Sequence, residues 1–240
     1  MQKCIFNALA IDKHAVLCYT DNQVISNKII GQEVSESMST RDTTLDQPIL
    51  ESAKAEFLKC GFERASLKDI ATNADVTTGA IYKRYKGKEE LFFAVVEKCV
   101  SQLNVVFASK ASADYSAFSD EALKKSWKMR PESMQWWFDL LLDFRDEYVL
   151  LLSCSAGTKY ETFAHDWVEI MTRETYRCYE EMFSRGLTSV VMSKKELHTL
   201  LSACWTTIYE PFIHGFSAEE IQQHCGFVCR MINWEKVFDI

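Results

Sequence analysis

The sequence predicts an all-α protein in two parts, a small N-terminal three-helix unit and a larger helical region behind it. Three observations carry this. Breakers are scarce, with 8 Gly and 3 Pro in 240 residues, so few tight turns are available. Beyond residue 47, apolar residues recur at three- and four-residue steps rather than alternating. Several Ser and Thr residues stand just ahead of such runs with an acid three positions on, the sequence form of a helix start.

Residues 1–46 lack helical periodicity and end in a Ser/Thr/Asp/Glu-rich linker over 33–46. A weak hairpin over 15–30, turning at Asp21-Asn22, is one reading of them. Met38 offers a second, in which the native chain starts there and everything before it is an upstream extension. From 47 the pattern is helical. Ile49, Leu50, Ala53, Phe57 and Leu58 share one face, and Gly61 marks the stop. Ser66 with Asp69 opens a short helix holding Leu67, Ile70 and Ala71, and after the Asp75-Val76 turn Thr77 caps another over 78–85. A long helix follows over 88–108. The expected division is 1–46 extension, 47–92 three-helix domain and 93–240 helical domain. Within the last, helices are expected over 117–129, 132–145, 146–155, 158–184, 194–215 and 218–238. Capping boxes at Ser193/Glu196 and Ser217/Glu220 fix two of these starts.

A chain of this length can bury a core without disulfides, and its 48% hydrophobic and 25% charged residues are ordinary for a globular protein. The longest strongly apolar runs fall well short of the roughly 18 residues of a membrane span. The first ten residues lack a secretory cleavage pattern. A cytoplasmic protein with no membrane partner is expected. Nine scattered cysteines without a Cys-x-x-Cys pair read as reduced core residues. His224, Cys225 and Cys229 share a helix face, but no second Cys/His cluster nearby in sequence completes four ligands, so neither metal nor cofactor is expected. Nucleophile motifs, a glycine-rich phosphate loop and paired carboxylates are all missing, which leaves catalysis unsupported.

The net charge of −7 would argue against nucleic acid if it were evenly spread. It is not. Residues 77–88 hold four bases, Lys83, Arg84, Lys86 and Lys88, and no acid, whereas residues 92–240 hold 15 bases against 21 acids. The basic stretch coincides with a helix-turn-helix pattern. Leu67, Ile70 and Ala71 supply an apolar underside, Ala74-Asp75-Val76 the turn, and the small Thr77, Thr78, Gly79 and Ala80 let a second helix approach a groove, with Ile81 anchoring it.

The run Ala71-Thr-Asn-Ala-Asp-Val-Thr-Thr-Gly-Ala-Ile-Tyr-Lys-Arg-Tyr-Lys-Gly-Lys-Glu-Glu-Leu91 resembles, without a gap, the DNA-binding signature of the TetR/AcrR family of regulators. The likeness extends back through Gly61-Phe62 and Ser66, over about 47–96. It implies a double-stranded DNA operator as partner, with Tyr82 and Lys88 on phosphates and Ser66 and Thr77 assisting at helix starts. It places Lys68, Thr78, Gly79, Lys83 and Arg84 toward bases, where a Lys or Arg favours guanine by about 1–3 kcal/mol per good pair. Tyr85 is expected to pack, and Gly87 stands where the family commonly has a capping Ser, Asn or Asp.

The same resemblance implies that the C-terminal domain binds a small-molecule effector and forms a homodimer. The aromatic concentration Trp136, Trp137, Phe144, Tyr160, Phe163 and Trp167, with His165 beside it, suits a ligand pocket and equally an ordinary core. Leu197, Leu201, Ile208, Phe212, Ile221, Val228 and Ile232 lie on broad apolar helix faces that a second subunit could cover. The function expected is that of a ligand-responsive repressor bound to a palindromic operator.

Overall fold

A computed structural model describes residues 44–240 of the chain; the linker up to residue 43, the candidate hairpin and Met38 lie outside the described residues. Within 44–240 every regular element is helical: α1 (Asp46–Arg64), α2 (Leu67–Asn73), α3 (Thr78–Tyr82), α4 (Lys88–Ala111), a 3-10 turn (Tyr115–Ala117), α5 (Asp120–Lys125), α6 (Pro131–Asp143), α7 (Arg145–Ser153), α8 (Phe163–Ser184), α9 (Lys194–Ile213), α10 (Ala218–Met231) and α11 (Trp234–Val237). The all-α expectation therefore holds.

The local signals act as read. Ser66 Oγ accepts from the Asp69 amide and Thr77 Oγ1 from the Ala80 amide, and both capping boxes close reciprocally at Ser193/Glu196 and Ser217/Glu220. Gly61 kinks α1 at φ +78 rather than ending it; the last turn continues to Arg64. The stretch 158–162 is turns, not helix, and Ile232 and Asn233 interrupt the expected final helix, with Asn233 capping α11.

The described residues divide into two compact units. One combines residues 44–102 with Phe144–Phe163, so α7 belongs with the N-terminal helices. Its core is Ile49, Ala53, Phe57, Ile70, Ile81 and Phe92, none of them exposed. The rings of Phe57, Phe62 and Phe92 meet at centroid distances of 5.1–6.0 Å. The Phe62 amide donates to the Cys154 carbonyl at 2.9 Å, and Lys54 pairs with Glu147 at 3.2 Å, fixing α7 onto α1.

The other unit combines Leu103–Asp143 with Ala164–Ile240. There α10 packs along α6 and against α9. Arg185 gathers the loop ahead of α5, donating to the carbonyls of Phe118 and Ser116 and pairing with Asp120. Thr188 Oγ1 donates to the Phe238 carbonyl at 2.6 Å and holds the C-terminal turn. By length and composition α4 could cross a membrane. The run-based expectation missed this because charges punctuate the helix. Six of its apolar residues, Leu91, Phe92, Val96, Cys99, Leu103 and Val106, are buried in the protein.

Candidate nucleic-acid interface

The turn between α2 and α3 is built by the backbone. The Ala74 amide donates to Ile70 O, Asp75 to Thr72 O and Val76 to Ala71 O, while Asp75 takes φ +53, a left-handed value that short Asp side chains tolerate. Ile70, Ala71 and Ile81 are buried beneath the two helices. What remains outside is their opposite surface. Lys68, Thr77, Gly79, Tyr82 and Lys83 are exposed, and Ser66 and Thr78 half-exposed. Gly79, Tyr82 and Lys83 share one face of α3 at three- and four-residue steps.

Two features distinguish that face. Tyr82 is 59% exposed, unusual for an aromatic side chain. At Gly79, a Cβ would meet only Thr77 Oγ1 at 3.7 Å, an ordinary contact. Glycine is thus not demanded by the fold at that position.

Four of the expected contact residues have internal duties. Ser66 and Thr77 spend their hydroxyl oxygens as caps. The Arg84 side chain is 8% exposed and donates to Asp46 Oδ1 at 2.6 Å, so it faces inward, not toward bases. Lys88 Nζ donates to the carbonyls of Glu63 at 2.8 Å and Ala65 at 3.0 Å and lies 4.7 Å from the Phe62 ring centroid. It closes the end of α1 and keeps one of its three donors. Arg84 read as a base contact because its pairing partner lies 38 residues away, beyond any local signal. Tyr85 is buried, as expected for packing.

The aromatic candidates fall into separate groups. Trp136, Trp137 and Trp167 join Trp205, which sequence reading passed over, in a run of ring contacts at 5.4–6.2 Å. Trp205 sits four residues after Leu201 and three before Ile208, the only signal that could have placed it. Its indole nitrogen is buried without a hydrogen-bond partner, as is Thr175 Oγ1. Tyr160 and Phe163 belong to the other unit, where Tyr160 meets Phe93 at 5.4 Å and lines a cleft of about 430 Å³ with Lys159 and Arg84. Phe144 precedes α7 in that same unit and is half-buried. His165 is exposed beside His198, ring centroids 5.6 Å apart.

The apolar positions proposed for a partner subunit are mostly already covered. Leu197, Leu201, Ile208, Phe212, Ile221 and Val228 are at most 2% exposed within the single chain, and Ile232 is half-buried. Those six side chains of α9 and α10 close onto the core of their own unit, whereas Ile232 stays partly open. The apolar side chains left outside on these helices are Leu200, Ile213, Phe227 and Met231.

Residues 49–95 match the family described as bacterial regulatory proteins, tetR family. Over 58 residues the chain is 40% identical to an Escherichia coli K12 protein named as an acrEF/envCD operon repressor, a match covering 24% of each chain. The chain thus spans about a quarter of the length of the curated relatives it matches. A TetR-family transcriptional regulator from Bordetella parapertussis aligns at TM-score 0.56 and 13% identity, covering 79% of this chain and 94% of that one. The TetR-family regulator PfmR from Thermus thermophilus aligns at 0.50 and 16%, covering 76% and 97%. At these identities the structures speak for the fold: an N-terminal helix-turn-helix followed by a helical C-terminal region.

Proposed function

We propose, on the premise that the chain carries the DNA-binding domain of the bacterial tetR-family regulatory proteins, that it is a ligand-responsive repressor binding a palindromic operator as a homodimer. The observation that carries this is the exposed face of Gly79, Tyr82 and Lys83 on α3, unused by the fold and lying within the matched residues. Lys83 and Lys68 read bases, and Tyr82 holds a phosphate and sets register. A dimer supplies two such helices related by a two-fold, which a palindrome requires. Leu200 and Ile213 on α9 with Phe227 and Met231 on α10 are its contacts, since exposed apolar side chains of this size call for cover.

The effector sits against the Trp136/Trp137/Trp167/Trp205 group. The unpartnered Trp205 indole N–H favours a largely apolar molecule with one hydrogen-bond acceptor. A coupling of about 1–3 kcal/mol between effector and operator is enough to release the repressor.

Selection of bound duplexes from random DNA tests the reading. A two-fold symmetric consensus whose affinity falls when an indole-quenching ligand is added is the expected result. Failure to enrich any sequence removes the regulator assignment.

A further inference from the structure

Cys225 and Cys229 stand one turn apart on α10, one above the other, close enough that each thiol shifts the ionisation of the other. Cys225 is buried with its Sγ 3.8 Å from the Pro131 carbonyl at the start of α6, and Cys229 is half-buried. Cys229 is two positions past the exposed Phe227, about 200° around the helix, so it opens away from the flank offered to a second subunit. His224 turns elsewhere, its Nε2 2.7 Å from the Thr207 carbonyl. Among the described residues no group of three His, Cys, Asp or Glu side chains could hold a metal ion.

We propose that Cys225 and Cys229 form a binding site for trivalent arsenicals, a two-thiol chelate closed across one turn of α10. A monosubstituted arsenical, R–As(OH)₂, brings two exchangeable hydroxyls. Two As–S bonds form and two As–O bonds break, and each thiol proton leaves with a hydroxyl as water. Arsenic stays trivalent, and no oxidant, reductant or further reactant enters.

The chemistry of the pair selects this ligand over a divalent cation. Burial pushes the Cys225 thiol up to about 12 and the Cys229 thiol above its ordinary value, so both are protonated at neutral pH. A tetrahedral cation such as zinc would have to expel both protons and would still lack two ligands. The arsenical reacts with thiols as they are and needs only two, its own substituent filling the third position. This site does not depend on the DNA-binding reading.

Non-denaturing mass spectrometry of the full chain with one equivalent of phenylarsine oxide tests it. One adduct is expected, removed by 2,3-dimercaptopropanol and resistant to excess 2-mercaptoethanol. Cys229→Ser and, separately, Cys225→Ala each lose it, whereas Cys60→Ser/Cys154→Ser and Cys4→Ser/Cys18→Ser keep it, circular dichroism confirming that each variant is folded. No adduct on the wild-type chain, or one that survives Cys229→Ser, overturns the proposal; so does an adduct lost with either control pair. Loss of operator binding in a chain that still takes the arsenical would count against the repressor reading alone.

Discussion

The Arg84 guanidinium donates to Asp46 Oδ1 at 2.6 Å and, through Nη1, to the Ala80 carbonyl at 3.2 Å, joining the end of α3 to the first turn of α1. The pair lies at the edge of the folded domain with Arg84 almost wholly covered. Removing Arg84 takes away its hydrogen bonds to Asp46 and the Ala80 carbonyl, and with Asp46 still about a quarter exposed the cost is about 1–3 kcal/mol. Arg84→Ala is expected to lower the midpoint of urea unfolding strongly. Asp46→Asn, which keeps an acceptor, should lower it less. If Arg84→Ala instead alters base preference at full stability, the inward assignment fails.

Lys88 offers a second separation of structure from recognition. Two of its donors cap the end of α1 and its charge lies over the Phe62 ring, so truncation removes hydrogen bonds worth about 1–2 kcal/mol. Lys88→Ala should therefore reduce thermal stability in the absence of DNA. The salt dependence of operator binding should change by less than one phosphate contact's worth, because only the remaining donor can reach a phosphate. Thermal melts and salt titrations of the same variant read both quantities. An unchanged melt with a full unit lost from the salt slope would reverse the assignment.

What could be read from sequence and what could not divides along the range of the interaction. Ser66, Thr77, Ser193 and Ser217 act as caps because a cap is decided within four residues. The same locality made the α2–turn–α3 arrangement legible. Arg84 and Lys88 looked like surface bases because their partners, Asp46, Glu63 and Ala65, are 23 to 38 residues away in sequence. The apolar faces of α9 and α10 are ambiguous for a related reason. Periodicity reports that a face is buried, not whether its own chain or another buries it. Trp205 was overlooked because a single aromatic at a helical step is indistinguishable from ordinary core until Trp137 and Trp167 are seen against it.

Lys83 and Tyr82 are adjacent, and their substitutions should separate. Lys83→Ala is expected to weaken binding to the selected operator by about 1–3 kcal/mol while leaving random-sequence affinity nearly constant, since a base contact discriminates. Tyr82→Phe should weaken both by a similar factor, because a phosphate contact carries no sequence information. Fluorescence polarisation with operator and scrambled duplexes makes the comparison. Equal losses on both duplexes for Lys83→Ala would place that lysine on phosphate.

Lys110 gives the protein a pH signature. Desolvation pulls its ammonium down from 10.5 to about 7, against the opposing pull of Cys178 and Glu174. Below about pH 7 the amine is charged in both folded and unfolded chains, and the full burial penalty is felt. As pH rises above that value the folded chain sheds the proton while the unfolded chain keeps it. The unfolded state then binds more protons, and stability climbs by up to about 1.4 kcal/mol per pH unit. The buried thiols act in the opposite sense. Cys99 and Cys204 are pushed by burial from 9.0 to about 12, and Cys178 to about 11, so above pH 9 the unfolded chain loses protons that the folded chain retains. Stability should accordingly rise from pH 7, peak between about 8 and 9, and fall beyond, as chemical denaturation at fixed ionic strength can follow. Lys110→Met should flatten the rising limb and leave the falling one in place. A profile that still rises between pH 7 and 8.5 in that variant would show that another group drives it.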